Sequence, residues 1–123
     1  MSSKTVAIVE DVSIIALDLQ SICADLGLHV IGVSATATDA LKKFANTGAD
    51  ILITDMELAD GSEGVEVVES LRKRWPAMIV VFITATSMPE KLQRIAASNP
   101  DRVLKKPFDV AELRSFLSEQ NVT

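Results

Sequence analysis

Short apolar runs alternate with segments whose apolar residues recur every three or four positions, and the alternation repeats five times along the chain. The run at 6–9 is continuously apolar. Residues 14–26 follow it with helical spacing, which places Ile15, Leu19, Ile22 and Leu26 on one face before Gly27 stops the helix. A weaker strand is predicted over 30–33, interrupted by Gly32, and then a helix over 38–46 with Leu41, Phe44 and Ala45 inward and Gly48 past its end. The third apolar run, 51–53, leads directly into Thr54-Asp55. A loop with Asp60-Gly61 and Gly64 precedes a helix bearing Val65, Val68, Leu71 and Trp75, closed by Pro76. Residues 78–84 are the strongest strand, rich in β-branched side chains. Pro89 suits the first turn of a fourth helix carrying Leu92, Ile95 and Ala96. After a short strand over 102–104, Asp109 and Glu112 resemble a capping box opening a last helix, whose buried face is Val110, Leu113, Phe116 and Leu117.

Strands apolar on both faces that alternate with helices imply a parallel sheet covered on each side. Right-handed crossovers make that a doubly wound α/β domain, a five-stranded (βα)5 sandwich. No linker or shift of composition divides the chain, so residues 1–123 are expected to form one domain.

Composition narrows the classes of function. The chain has 123 residues, 48% of them hydrophobic and 24% charged, the balance of a soluble domain that needs no staple. The apolar stretch at 78–83 is too short to span a bilayer, and the N-terminus lacks a signal-peptide pattern, so no membrane association and a cytoplasmic setting are expected. A formal charge of −5 argues against nucleic acid as a direct ligand. Cys23 is the single cysteine and reads as a small core thiol, and His29, the single histidine, as a surface residue without ligand partners. The basic groups Lys42-Lys43 and Arg72-Lys73-Arg74 read as solvated outer faces of helices.

Ligands of such sheets bind beyond the carboxyl ends of the strands. Glu10-Asp11 end the first strand here, Asp55 the third and Thr84 the fourth, and Lys105-Lys106-Pro107 follow the fifth. Three acids, a hydroxyl and a lysine thus converge on one edge, a set suited to phosphoryl transfer onto a carboxylate. The attacking carboxylate needs the charge on the equatorial oxygens neutralised. A magnesium ion accepts carboxylate, water and phosphate oxygens, a lysine ammonium pairs with another phosphoryl oxygen, and a threonine hydroxyl donates to a third. Three acids held this close repel one another without a cation.

At these residues the chain resembles the receiver domain of two-component response regulators, from about residue 5 to residue 117. The resemblance implies strand order 2-1-3-4-5 and phosphorylation of Asp55 by a sensor histidine kinase or a histidine phosphotransfer protein. By the same resemblance Glu10, Asp11, Asp55 and the backbone carbonyl of Glu57 bind Mg2+, with Mn2+ as a substitute, and Glu10 acts through water. Lys106 binds the phosphoryl group, Thr84 moves toward it as the switch, and the Lys106–Pro107 bond is expected cis. The signalling domain is then not an enzyme acting on other substrates. Phosphodonors are expected to dock on the first helix and the loop after the fifth strand. The face made by the fourth helix, fifth strand and fifth helix is expected to serve an output or a dimer.

Each residue has a plainer reading beside this one. Asp55 alone fits a loop acid, Glu10 and Asp11 fit a helix start, Thr84 fits a strand end, and Lys105 beside Lys106 is expected to be solvated. Asp50 lies at the opposite end of the third strand, and Trp75 is expected to pack at the end of its helix. Three departures stand out. Val103 occupies the position where many receivers carry an aromatic residue, and the chain has no tyrosine. Asp55 and Gly64 are nine apart, one more than in chemotaxis-type receivers. Glu57 and Thr86 stand where the family tunes loss of the phosphoryl group. A pseudo-receiver that only binds protein is the alternative function. A dehalogenase-type phosphatase lacks its threonine after Asp55-Met56-Glu57-Leu58-Ala59, and a flavodoxin lacks its hydroxyl-rich loop after the first strand.

Overall fold

The computed structural model describes residues 3–120. Ten elements alternate along the chain: β1 (Thr5–Val9), α1 (Ser13–Asp25), β2 (His29–Ser34), α2 (Ala37–Phe44), β3 (Ile51–Thr54), α3 (Gly64–Arg74), β4 (Ile79–Thr84), α4 (Pro89–Ala97), β5 (Arg102–Lys105) and α5 (Val110–Gln120). The strands form one sheet in the order β2-β1-β3-β4-β5, and every adjacent pair is parallel. This is the expected doubly wound α/β fold.

The period of two in each strand divides the core into two layers. Val6 and Ile8 of β1, with Ile51, Ile53, Val81 and Ile83, meet Leu19, Ile22 and Cys23 of α1 and Leu113, Phe116 and Leu117 of α5. Ala7 and Val9, with Leu52, Val80 and Phe82, meet Ala40 and Phe44 of α2, Val65, Val68 and Leu71 of α3, and Ile95 of α4. Cys23 is buried as expected, and burial pushes its thiol up to about 11.

Local chemistry sets the ends of the helices. Thr36 Oγ1 accepts from Asp39 N at 3.1 Å to open α2, and Glu63 and Glu66 form a reciprocal capping box at α3. Asp109 Oδ1 accepts from the backbone N–H groups of Ala111 and Glu112 at the start of α5. Gly48 has φ +63, and a Cβ there would lie 2.5 Å from the Trp75 ring, so only glycine fits beside the indole. Trp75 packs at the end of α3 and donates from Nε1 to Ala45 O.

Three expectations need correction. Val110 is exposed rather than part of the α5 core face, which is made by Leu113, Phe116 and Leu117. In α4, Leu92 and Ala96 are exposed and Ile95 is buried, so this helix is anchored more shallowly than its spacing implies. The basic run of α3 is not merely solvated. Arg72 donates to the carbonyls of Met78, Ser98 and Asn99 and pairs with Asp101, and Arg74 lies over the Trp75 ring. Lys43 likewise donates to Val33 O at 2.6 Å.

Candidate functional site

Glu10 follows β1 and is held by its own backbone N–H, which donates to Ser34 O at the end of β2. Its side chain is buried at the sheet edge. Oε2 accepts from Val12 N at 3.1 Å, so Glu10 also supports the start of α1, and its plainer reading as a helix-start acid is true in part. Asp11 beside it is exposed. Asp55 follows β3, buried, with its backbone N–H donating to Val9 O and its Oδ1 accepting from Met56 N at 2.6 Å. Lys106 extends β5 by donating its backbone N–H to Thr84 O, and its bond to Pro107 is cis.

These side chains converge. One carboxylate oxygen each from Glu10, Asp11 and Asp55 lies within 4.8 Å of the others. The Lys106 ammonium sits 2.7 Å from Asp55 Oδ2 and 2.8 Å from Glu10 Oε1, whereas Lys105 points to solvent. Burial raises the pKa of Glu10, against the opposing hydrogen bonds from Lys106 and Val12 N. Burial alone would lower that of Lys106, but hydrogen bonds to Asp55 and Glu10 outweigh it and leave the ammonium raised. The pocket therefore holds its lysine charged and one of its acids short of solvation.

The donor set fits a hard divalent cation: carboxylate oxygens on a rigid sheet edge, more of them than one ammonium neutralises. Two of the three acids already share Lys106, so a cation entering here competes with that ammonium for Glu10.

Other expected members lie nearby but are not joined to it. Thr84 is buried at the end of β4, and its Oγ1 accepts from Thr86 N at 3.2 Å; among the described residues no hydrogen bond links it to Asp55. Thr86 in turn accepts from Met88 N at the start of α4. Val103 is exposed, and with Thr84, Thr86, Leu92, Leu104 and Lys105 it borders a hollow of about 250 Å3. His29 is exposed, and Asp50 binds Thr5 at the far end of the sheet.

The loop with the additional residue folds on itself. Leu58 N donates to Ser62 O, Gly61 N to Leu58 O with φ +82 at Gly61, and Gly64 N to Met56 O. It is also stitched to the start of α2, because Ala59 N donates to Ala35 O and Ala37 N to Ser62 Oγ. Gly64 is required sterically, since a Cβ there would stand 2.1 Å from Asp55 O. Glu57 turns its carboxylate to Lys91 of α4 at 3.0 Å, and Glu63 pairs with Arg94. Sequence reading singled out neither Lys91 nor Arg94. Their spacing of three, which puts them on one face of α4, was the available signal.

Known proteins share this fold. The family profile described as the response regulator receiver domain matches residues 6–118. The phyllosphere-induced regulator PhyR of Methylorubrum extorquens is 35% identical over 115 residues, covering 93% of this chain and 42% of that protein. The transcriptional regulator NtrC of Azospirillum brasilense is 26% identical over 117 residues, covering 95% and 24%. The chain thus spans less than half the length of these curated relatives. A CheY-like receiver domain protein of Methanospirillum hungatei superposes with a TM-score of 0.87 at 27% identity, covering 97% of this chain and 94% of that one. The receiver domain of the Erythrobacter litoralis PhyR response regulator superposes at 0.80 with 32% identity, covering 98% and 91%. The chain belongs to the response regulator receiver domain family of two-component signalling.

Proposed function

We propose that this chain is a phosphorylation switch in which Asp55 accepts a phosphoryl group from a phosphohistidine of a sensor kinase or phosphotransfer protein. The observation that carries the reading is the meeting of Glu10, Asp11 and Asp55 oxygens within 4.8 Å, with Lys106 bound to both Asp55 and Glu10. Glu10, Asp11, Asp55 and the Glu57 carbonyl are the groups that would hold Mg2+, which neutralises phosphoryl oxygens when bound. An Asp55 oxygen forms a bond to phosphorus as the bond from phosphorus to the donor imidazole nitrogen breaks. Lys106 is already against Asp55 and keeps its charge, so it follows the new phosphoryl oxygen without crossing the pocket. Thr84 Oγ1 exchanges its bond from Thr86 N for one to the phosphoryl group, which moves the start of α4.

The donor docks on α1 and the loop after β5, where Ile14, Leu17 and Val110 are exposed and apolar beside a hollow of about 450 Å3 lined by Lys106 and Phe108. A target or a second copy docks on the face carrying Met88, Leu92 and Val103. Residues 1–123 act as one receiver unit in the cytoplasm. Among the described residues no helix is long and apolar enough to cross a membrane.

Incubation with acetyl phosphate and Mg2+, followed by mass measurement, tests the reading. The expected result is one phosphoryl group on the wild type and none on Asp55→Asn. An unlabelled wild type would establish the alternative, a receiver fold acting as a protein-binding module without phosphorylation.

A further inference from the structure

A fourth carboxylate lies two residues beyond Asp55, and it is kept out of the acidic pocket. Glu57 is not among the acids whose oxygens gather within 4.8 Å; its Oε2 instead lies 3.0 Å from Lys91 Nζ. The pair borders a small hollow of about 120 Å3 with Leu58, Gly61, Ser62 and Glu63, on which neither Asp55 nor Lys106 opens. The Glu57 backbone meanwhile pairs with that of Glu63, whose carboxylate takes Arg94, three residues after Lys91. The loop beside Asp55 is therefore tied to α4 through two acids and two bases. Lys91 is largely covered and its partner Glu57 is half-exposed, so among the described residues it is the Lys91 ammonium that holds that carboxylate on the α4 side of the loop.

We infer that Lys91 is a positioning residue of the phosphoryl site, sequestering the Glu57 carboxylate and so setting how many acids surround the bound cation. The inference rests on the proposed Mg2+-dependent phosphorylation of Asp55 and adds a residue outside the set Glu10, Asp11, Asp55, Thr84 and Lys106. Freed from Lys91, the Glu57 side chain can turn back along its own backbone toward Asp55. The pocket would then hold four carboxylates against one ammonium. A further negative charge attracts a divalent cation and repels the incoming phosphoryl group. Because α4 carries Lys91 and is buried mainly through Ile95, a partner that draws α4 aside would release Glu57 in the same way. By linkage, the state of the pocket would alter that partner's affinity by the same factor.

The test is a double-mutant cycle read by Mg2+ affinity in isothermal titration, with acetyl phosphate labelling beside it. Lys91→Met is expected to tighten Mg2+ binding about fivefold, as an added charge at the pocket rim would do at a surface-like dielectric. Lys91→Arg keeps the ion pair and should retain wild-type affinity. In a Glu57→Gln background, Lys91→Met should leave Mg2+ affinity unchanged, because no carboxylate remains to release. Equal affinities in wild type and Lys91→Met would overturn the inference. So would a fivefold gain that persists in the Glu57→Gln background, since the ammonium would then act through space alone. In both cases the wild type still binds Mg2+ and becomes labelled, and the phosphorylation reading stands. A wild type that neither binds Mg2+ nor becomes labelled removes both.

Discussion

Two partly buried cations stand at opposite ends of the same sheet, and their partners differ in kind. At the amino end Arg72 donates to Met78 O, Ser98 O and Asn99 O and pairs with Asp101, whose carboxylate also accepts from Val80 N. It joins the end of α3 to the start of β4 and to the turn between α4 and β5. At the carboxyl end the Lys106 ammonium meets, among the described residues, two carboxylates, Asp55 and Glu10, both buried. Backbone carbonyls have nowhere else to turn, so Arg72 is a fixed clamp. Carboxylates can be handed to a metal ion or a phosphoryl group, so Lys106 is a replaceable counterion. A hollow of about 390 Å3 also opens at the amino end, lined by Lys4, Asp50, Arg74 and Trp75, yet among the described residues no group of acids gathers there. Location of charge alone does not make a site. Exchangeable partners do.

The largest effect expected from this contrast is on stability. Arg72→Met strips four acceptors of a donor at once, in a half-buried setting, and should cost about 3 kcal/mol in denaturant unfolding. Labelling of Asp55 by acetyl phosphate should stay at the wild-type rate, since the clamp touches nothing at the other edge. If Arg72→Met slowed labelling while the protein stayed folded, the two ends would not be independent.

Lys106→Met should act the other way round. Loss of the ammonium that follows the transferred phosphoryl group is expected to slow labelling roughly 10²-fold, or about 2.7 kcal/mol of barrier. Stability should fall in EDTA, where Glu10 and Asp55 are left facing each other, and recover in Mg2+. The gain in melting temperature on adding Mg2+ should therefore be larger for Lys106→Met than for the wild type, which differential scanning fluorimetry reads directly. A smaller gain would mean that Lys106 helps to hold the cation rather than competing with it for Glu10.

The contrast also explains what the sequence did and did not reveal. The sheet was legible because β1, β3 and β4 are covered on both faces and so are apolar at nearly every position. Glu10, Asp11 and Asp55 were legible because they follow directly on such runs, whereas Lys106 follows the largely exposed β5 and was singled out by its place before Pro107 and by the family resemblance. Arg72 was hidden by its own neighbours: a run of three bases looks solvated, and its partners are backbone carbonyls, which leave no trace in residue types. Val110 and Leu92 kept helical spacing but are exposed, and periodicity cannot report whether a neighbour is present to cover a face. Gly64 marked the length of the loop, but the Asp55 carbonyl standing where its Cβ would be is a tertiary fact. The pairs Lys91–Glu57 and Arg94–Glu63 join residues 34 and 31 positions apart, beyond the reach of any local pattern.

The smallest effect separates two glutamates by pH, in EDTA and with glutamine replacing each in turn. Burial raises the folded pKa of Glu10 above its ordinary value of 4.5, so the native state binds a proton more tightly than the unfolded chain does. Charged Glu10 therefore opposes folding. As pH falls from neutrality through its raised value toward 4.5, the wild type should gain stability relative to Glu10→Gln, and the difference should level off below. Glu63 is the reverse case, since the hydrogen bond from Arg94 lowers its pKa. Its contribution is present above the ordinary value of 4.5 and is lost as pH falls through the lowered one. The wild type should thus lose its advantage over Glu63→Gln only on the acid side, and by less, because its partner Arg94 is half-exposed. Glutamine keeps the hydrogen-bonding shape needed at the start of α3, so what changes with pH is charge alone. Two parallel difference curves would show that burial at the carboxyl edge does not strain Glu10, and the exchangeable character assigned to that edge would lose its electrostatic basis.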